Sequence, residues 1–227
     1  MNRPPPTSRV PPTNSEAPLV SVLVVIFTVV DGELRALLIH RSGEPYKERW
    51  AIPGGLLQPG EALLDAAVRK LEDETGVRDV FLEQLYTFSD LDDVTPGGAV
   101  AVAYFALVDD QRVRLAERIE WQPAWFSMRD LPPLAFRNEH VLDYALGRLQ
   151  NKLEYTNVAY SLLPERFTLS QLQRVYESIL GRPLDKRNFR KRMISLGIIG
   201  ATGERRAERA GRPAQIYRFA SREPVEL

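Results

Sequence analysis

The chain has no cysteine and only two histidines, His40 and His140, among its 227 residues. No disulfide framework, thiolate nucleophile or Cys-ligated zinc can be built from it. A His-rich metal centre is excluded as well, so any bound cation must sit among oxygen ligands, which suit Mg2+ or Mn2+. Long apolar runs are also missing. The longest, Leu19 to Val30, falls well short of the roughly 20 residues that span a bilayer. It follows a Pro-rich leader with no small-residue cleavage pattern, so it reads as a buried strand in a cytoplasmic protein with no membrane partner. Net charge is absent too, with 30 basic and 30 acidic side chains. That balance conceals a split. Residues 161–227 hold 14 Lys+Arg against 7 Asp+Glu, whereas residues 1–160 hold 16 against 23. A basic C-terminal unit behind an acidic N-terminal one is a composition cue for nucleic-acid contact by the smaller part.

What is present suits two small domains: 44% apolar and 26% charged residues, enough to bury a core. Residues 1–18 read as a disordered Pro-rich leader. Val20–Ile26 is a β-branched strand, Asp31-Gly32 a hairpin turn, and Glu33–Arg41 the returning strand. Apolar periodicity predicts a helix over 61–75, stopped by Gly76, and a second over 138–153. Strands are expected at 81–88, 99–108 and 121–127. The boundaries implied are an N-terminal domain over 19–137, a linker helix over 138–155 and a basic C-terminal domain over 156–227.

Between the first strands and the first helix lies Gly55-Leu-Leu-Gln-Pro-Gly-Glu61, followed after seven residues by Arg69-Lys70-Leu71-Glu72-Asp73-Glu74-Thr75-Gly76-Val77. This resembles the Nudix box, and Arg49-Trp-Ala-Ile-Pro-Gly-Gly55 resembles the approach to it. Positions 70, 73 and 74 stand at i, i+3 and i+4, so their side chains share one helix face. In the hydrolases of that superfamily this face carries carboxylates that hold divalent cations, which neutralise a diphosphate and activate water. Here it offers Lys70, Asp73 and Glu74. Lys70 removes one ligand and places a positive charge beside the other two. The box Glu61, Arg69, Lys70, Asp73, Glu74 is therefore degenerate: no catalytic residue is expected, and Asp73 and Glu74 retain at most weak Mg2+ or Mn2+ binding. No cofactor is required. A pocket that has lost metal chemistry still suits a nucleoside diphosphate, with Arg41, Arg49, Trp50, Gly55, Lys70 and Asp90 as candidate contacts.

The C-terminal unit opens with Thr168-x-x-Gln171, a capping box ahead of an apolar stripe ending at Gly181. Asp185 can cap a second helix, 186–196, whose Phe189, Met193 and Leu196 lie together while Arg187, Arg190 and Lys191 point elsewhere. Two short helices with the second basic, followed by a strand pair joined by Gly203 to Arg212, are what a winged helix-turn-helix requires. The candidate DNA contacts are Thr168, Gln171, Lys186, Arg187, Asn188, Arg190 and Lys191. Arg205, Arg206, Arg209 and Arg212 join them on the tip of the wing, suited to phosphate or minor-groove contact.

Taken from Arg69-Lys70-Leu71 through Phe167–Gln173, Leu180–Arg190 and Gly211-Arg-Pro-Ala214, the chain resembles the Nudix-related transcriptional regulators of bacteria (NrtR). The resemblance implies an α+β architecture: a Nudix-like αβα sandwich with a mixed sheet, plus a C-terminal winged helix. It also implies a homodimeric repressor of NAD-biosynthesis or related genes, binding operator DNA and sensing ADP-ribose or a related nucleotide. The alternative is an active Nudix pyrophosphatase of the ADP-ribose type, with an accessory domain. A third reading is an interaction scaffold with neither activity.

Overall fold

The structure, a computed structural model, describes residues 18–78, 80–89, 91, 99–110, 113–116, 121–207, 213–223 and 225. The leader 1–17 lies outside them. Strand β1 (Leu19–Val30) turns at Asp31 and Gly32, both at positive φ (52° and 79°), as a two-residue type I′ loop demands. It returns as β2 (Glu33–Arg41), antiparallel to it. The short strands β3 (Trp50–Ala51) and β4 (Gly54–Leu56) follow, then helix α1 (Leu63–Thr75). Strands β5 (Glu83–Phe88), β6 (Ala99–Leu107) and β7 (Trp121–Ser127) complete a seven-stranded sheet. Its path runs β3-β2-β1-β6-β5, with β4 paired to β1 and β7 to β2. β1 and β6 are parallel and the other pairs antiparallel, so the sheet is mixed.

Alternation along β1 sets the layers. Val22, Val24 and Ile26 pack with Ala66, Ala67 and Leu71 of α1 on one face. Leu23, Val25 and Phe27 join the other face with Leu142, Ala145 and Leu149 of helix α2 (Asn138–Tyr155). The expected αβα sandwich is this arrangement.

After α2 come a short 3-10 helix (Val158–Leu162), β8 (Phe167–Thr168), α3 (Leu169–Leu180), α4 (Lys186–Ser195), β9 (Ile199–Arg206) and β10 (Ala214–Phe219). The three strands form a second sheet in the order β8-β10-β9. The capping box closes in both directions: Gln171 N–H donates to Thr168 Oγ1 at 3.2 Å, and Thr168 N–H to Gln171 Oε1 at 2.8 Å. Asp185 caps α4 by accepting from Asn188 N–H at 2.8 Å.

Helix α2 does more than the linker expected of it. Its buried face belongs to a core that continues into the C-terminal unit through Phe167, Leu172, Ile179 and Met193. Gln150 Nε2 donates to the Ile179 carbonyl at 2.9 Å, and Ser178 Oγ of α3 donates to Gly32 at the β1–β2 turn at 2.8 Å. The two units share packed contacts.

Candidate functional site

The loop–helix motif is organised by two carboxylates used in opposite ways. Arg69 holds Glu61 in a forked pair, Nε–Oε1 2.6 Å and NH2–Oε2 2.8 Å, while Gln58 N–H adds a third donor at 3.1 Å. Those hydrogen bonds pull the Glu61 carboxyl down to about 2. This pair fastens the loop before α1 onto the helix. Glu74 is 2% exposed. Its Oε2 accepts from Gly54 N–H at 2.8 Å, and its Oε1 faces Lys70 Nζ at 3.4 Å. Burial pushes the Glu74 carboxyl up, and the Gly54 donor and the Lys70 charge oppose that push.

Lys70 reaches this position across β4. A Cβ placed on Gly55 would lie 2.6 Å from Lys70 Cε and 2.7 Å from Nζ, so the glycine is the gap through which the lysine runs. Asp73, at i+3, is exposed. The chemistry of the Nudix box calls for a divalent cation on this face, where two of the three carboxylates, Glu61 and Glu74, already face cationic side chains. Glu74 has one oxygen on a backbone donor and the other on an ammonium, while both Glu61 oxygens accept from Arg69. Among the described residues no group of three or more His, Asp or Glu side chains could share a metal ion.

Between the sheet and the start of α2, with β4 in its wall, lies a cavity of about 340 Å3. Leu23, Ile39, Ala101 and Phe136 make it mainly apolar, and Gly54 and Gly55 form part of its wall. Arg41 supplies its cation. The guanidinium lies 4.7 Å over the Phe136 ring, and Nε donates to the Pro45 carbonyl at 3.0 Å. Burial lowers the Arg41 pKa, and Glu74 and Glu44 counter it. Asn138, the first residue of α2, is 1% exposed and accepts from Ile52 N–H at 2.8 Å. Just before it, Phe136 (φ 55°) and Arg137 (φ 49°) are both left-handed, a conformation that costs non-glycine residues of order 1–3 kcal/mol each.

Of the candidate pocket residues, Arg41 and Gly55 line the cavity, and Lys70 lies against Gly55 without lining it. Arg49 is exposed and donates to the Leu134 carbonyl at 3.4 Å. Trp50 is a packing residue, edge-on to His40 (5.1 Å) and Phe126 (4.5 Å). Asp90 lies outside the described residues. Phe136 and Asn138 were not anticipated. An apolar loop residue carries no sequence signal, and Asn138 read only as part of a helix.

A second concavity, a groove of about 490 Å3, opens between the start of α3, α4 and the β9–β10 ribbon. Lys186, Arg190 and Arg205 bring three positive charges to it, with Ser170 and Gln173 from α3. Arg187 and Lys191 are exposed on the outer side of α4. Asn188 lines a different groove with Arg192, facing α2. Thr168 is 4% exposed, and both it and Gln171 are committed to the cap. Arg205 and Arg206 are not at a hairpin tip; they belong to β9 and pair with Gln215 and Ala214 of β10. Arg209 and Arg212 lie outside the described residues.

This combination agrees with comparisons to known proteins. The NUDIX domain model matches residues 18–145, and the NrtR DNA-binding winged helix domain model matches 159–219. The chain is 40% identical over 211 residues to the "ADPR responsive transcriptional repressor NtrR" of Acinetobacter baylyi, covering 90% of this chain and 83% of that one. The chain belongs to the NrtR family. Shewanella oneidensis NrtR, solved with a 27mer DNA, superposes with a TM-score of 0.76 at 35% identity, covering 88% of this chain and 93% of that one. The NUDIX domain of Shewanella NrtR in complex with ADP ribose matches with a TM-score of 0.54 at 31% identity, covering 62% and 94%. Both NrtR modules thus fall on the two concavities described: the NUDIX match contains the cavity beside Arg41, and the winged-helix match contains the groove.

Proposed function

We propose that this protein is a transcriptional repressor that binds operator DNA through α4 and the β9–β10 ribbon, and whose DNA affinity responds to ADP-ribose or a related nucleotide in the Arg41 cavity. One observation carries the reading: α2 runs from the cavity to the side of α4 that faces away from the α3–ribbon groove. Its first residue, Asn138, lines the cavity, and the Glu154 carbonyl near its last turn accepts from Arg192 of α4 at 3.2 Å. A ligand that presses on Arg41 and Phe136 acts at the strained entry to α2, and a rigid helix of about 27 Å carries the displacement to the recognition helix. Ligand response requires different affinities for two arrangements of these units. The DNA-bound and ADP-ribose-bound relatives support each half of the proposal. The working form is a two-fold dimer, since a pair of recognition helices suits a palindromic operator. Among the described residues no helix is long and apolar enough to cross a membrane.

In this reading the Nudix unit binds without hydrolysing and needs no divalent cation, because Lys70 takes the place of a ligand beside Glu74. The second reading, a weak ADP-ribose pyrophosphatase, draws on the Glu61–Arg69 pair and Glu74, which remain in box positions. ADP-ribose incubated with the protein and Mg2+ separates the two: the nucleotide stays intact under the first and turns over steadily under the second. A gel shift with a DNA fragment from upstream of the protein's own gene should give a specific, salt-sensitive complex. Absence of that complex at low salt contradicts operator binding and favours a scaffold.

A further inference from the structure

Helix α4 turns one side into the core, two towards grooves and a fourth to solvent. Phe189 and Met193 are buried in the core. Lys186 and Arg190 border the groove beside α3 and the ribbon. Asn188 and Arg192 border the groove facing α2. The fourth side carries Arg187, Lys191 and Ile194, at i, i+4 and i+7, which an α-helix stacks on one stripe. Ile194 is 49% exposed. A branched apolar side chain there gains nothing from water, and β-branching slightly weakens the helix that holds it. Two cations precede it on the same stripe, so the surface that accepts Ile194 must be strongly anionic and yet offer an apolar group. The DNA major groove meets both conditions: phosphates border it, and the thymine 5-methyl is the apolar group the bases present there.

We infer that Ile194 contacts a thymine methyl in each operator half-site and so determines part of the sequence specificity, an inference that rests on the operator-binding proposal above. Arg187 and Lys191 anchor the N-terminal part of α4 on guanine edges or phosphates. Ile194 lies two helical turns beyond Arg187, about 10 Å along the axis. The thymine is therefore displaced by about three base pairs from the Arg187 contact.

The test is selection of duplexes from a random DNA pool by the full-length protein, run in parallel with Ile194→Ala and Ile194→Val. The wild type should select a site with a fixed T·A pair in each half. Replacing that thymine by uracil, which deletes only the methyl group, should weaken binding about fourfold per half-site, the worth of one buried methyl. Ile194→Ala should lose the preference at that position alone and bind the uracil and thymine sites equally, whereas Ile194→Val should keep it. Equal binding of both sites by the wild type, or an unchanged selected site with Ile194→Ala, overturns the inference while leaving operator binding intact. A loss of dimerisation by Ile194→Ala, with specificity retained, also overturns it and assigns the side chain to a protein contact. If the wild type selects no sequence at all, the operator-binding proposal itself fails.

Discussion

Replacing Lys70 by methionine keeps a long side chain across Gly55 and removes only the charge that Glu74 faces. Breaking a fully buried ion pair from one side costs about 3–5 kcal/mol, and losing an exposed pair about 0–1 kcal/mol. Lys70 and Glu74 fall between these cases. The carboxylate is 2% exposed but keeps its Gly54 donor, the lysine side chain is 24% exposed, and their separation is 3.4 Å. The expected loss at pH 7 is about 1–3 kcal/mol. Its pH dependence is the sharper signature. Burial already raises the folded-state pKa of Glu74, and without Lys70 that push has less opposition. The folded protein then holds a proton that the unfolded chain has released, so stability falls as pH rises from the unfolded value of 4.5 through the folded one. The gap between wild type and Lys70→Met should therefore be small near pH 4.5 and open towards pH 7. Urea unfolding at three pH values, with unchanged slopes, reads this directly. The double variant Lys70→Met/Glu74→Gln should recover most of the loss, because glutamine still accepts from Gly54. A gap below about 0.5 kcal/mol at pH 7, or one that does not change with pH, would refute the idea that Lys70 is the resident counter-charge of the box.

Lys70→Glu should create a cation site with Glu74 and Asp73, seen as a rise in unfolding temperature with added Mn2+ that the wild type lacks; identical responses of the two proteins count against the assignment. Arg41→Ala should weaken ADP-ribose binding about tenfold or more, the worth of one charged hydrogen-bonding partner, with DNA affinity unaltered in the absence of nucleotide; calorimetry at fixed ionic strength decides. Arg187→Ala and Lys191→Ala should each reduce the magnitude of the salt slope of DNA binding by about one, without touching ADP-ribose affinity. If both affinities fall together, the two sites are not separate.

Much of this was legible from residue patterns. The β1–β2 hairpin follows from a β-branched run and Asp31-Gly32, and the helices of the C-terminal unit follow from Thr168, Gln171, Asp185 and Gly181. Local chemistry decides those features, so local sequence reveals them. β4 was not legible, because Gly54-Gly55 has no strand propensity. It becomes a strand since β1 offers it partners, at an approach so close that a Cβ on Gly54 would run into the Val22 carbonyl. Trp50 looked like a ligand contact because aromatics near a box can stack on bases, yet it packs on His40 and Phe126, neighbours that only the sheet brings together. The same limit applies to Asn188. Periodicity placed it on α4 outside the core, but which groove it faces depends on where α2 lies. The double role of α2, capping the cavity at one end and touching α4 at the other, is a property of the assembled core and has no counterpart in its own residues.

Intact ADP-ribose, bound without metal, should change the affinity of this protein for its operator. Fluorescence anisotropy of a labelled operator duplex, titrated with protein at fixed salt in EDTA with and without saturating ADP-ribose, tests it in one measurement. The predicted result is a shift of about fivefold or more in the DNA dissociation constant, in the range usual for coupled sites, with the nucleotide recovered unhydrolysed. Superimposed titration curves, or a shift that appears only when Mg2+ is added and ADP-ribose is consumed, would contradict it.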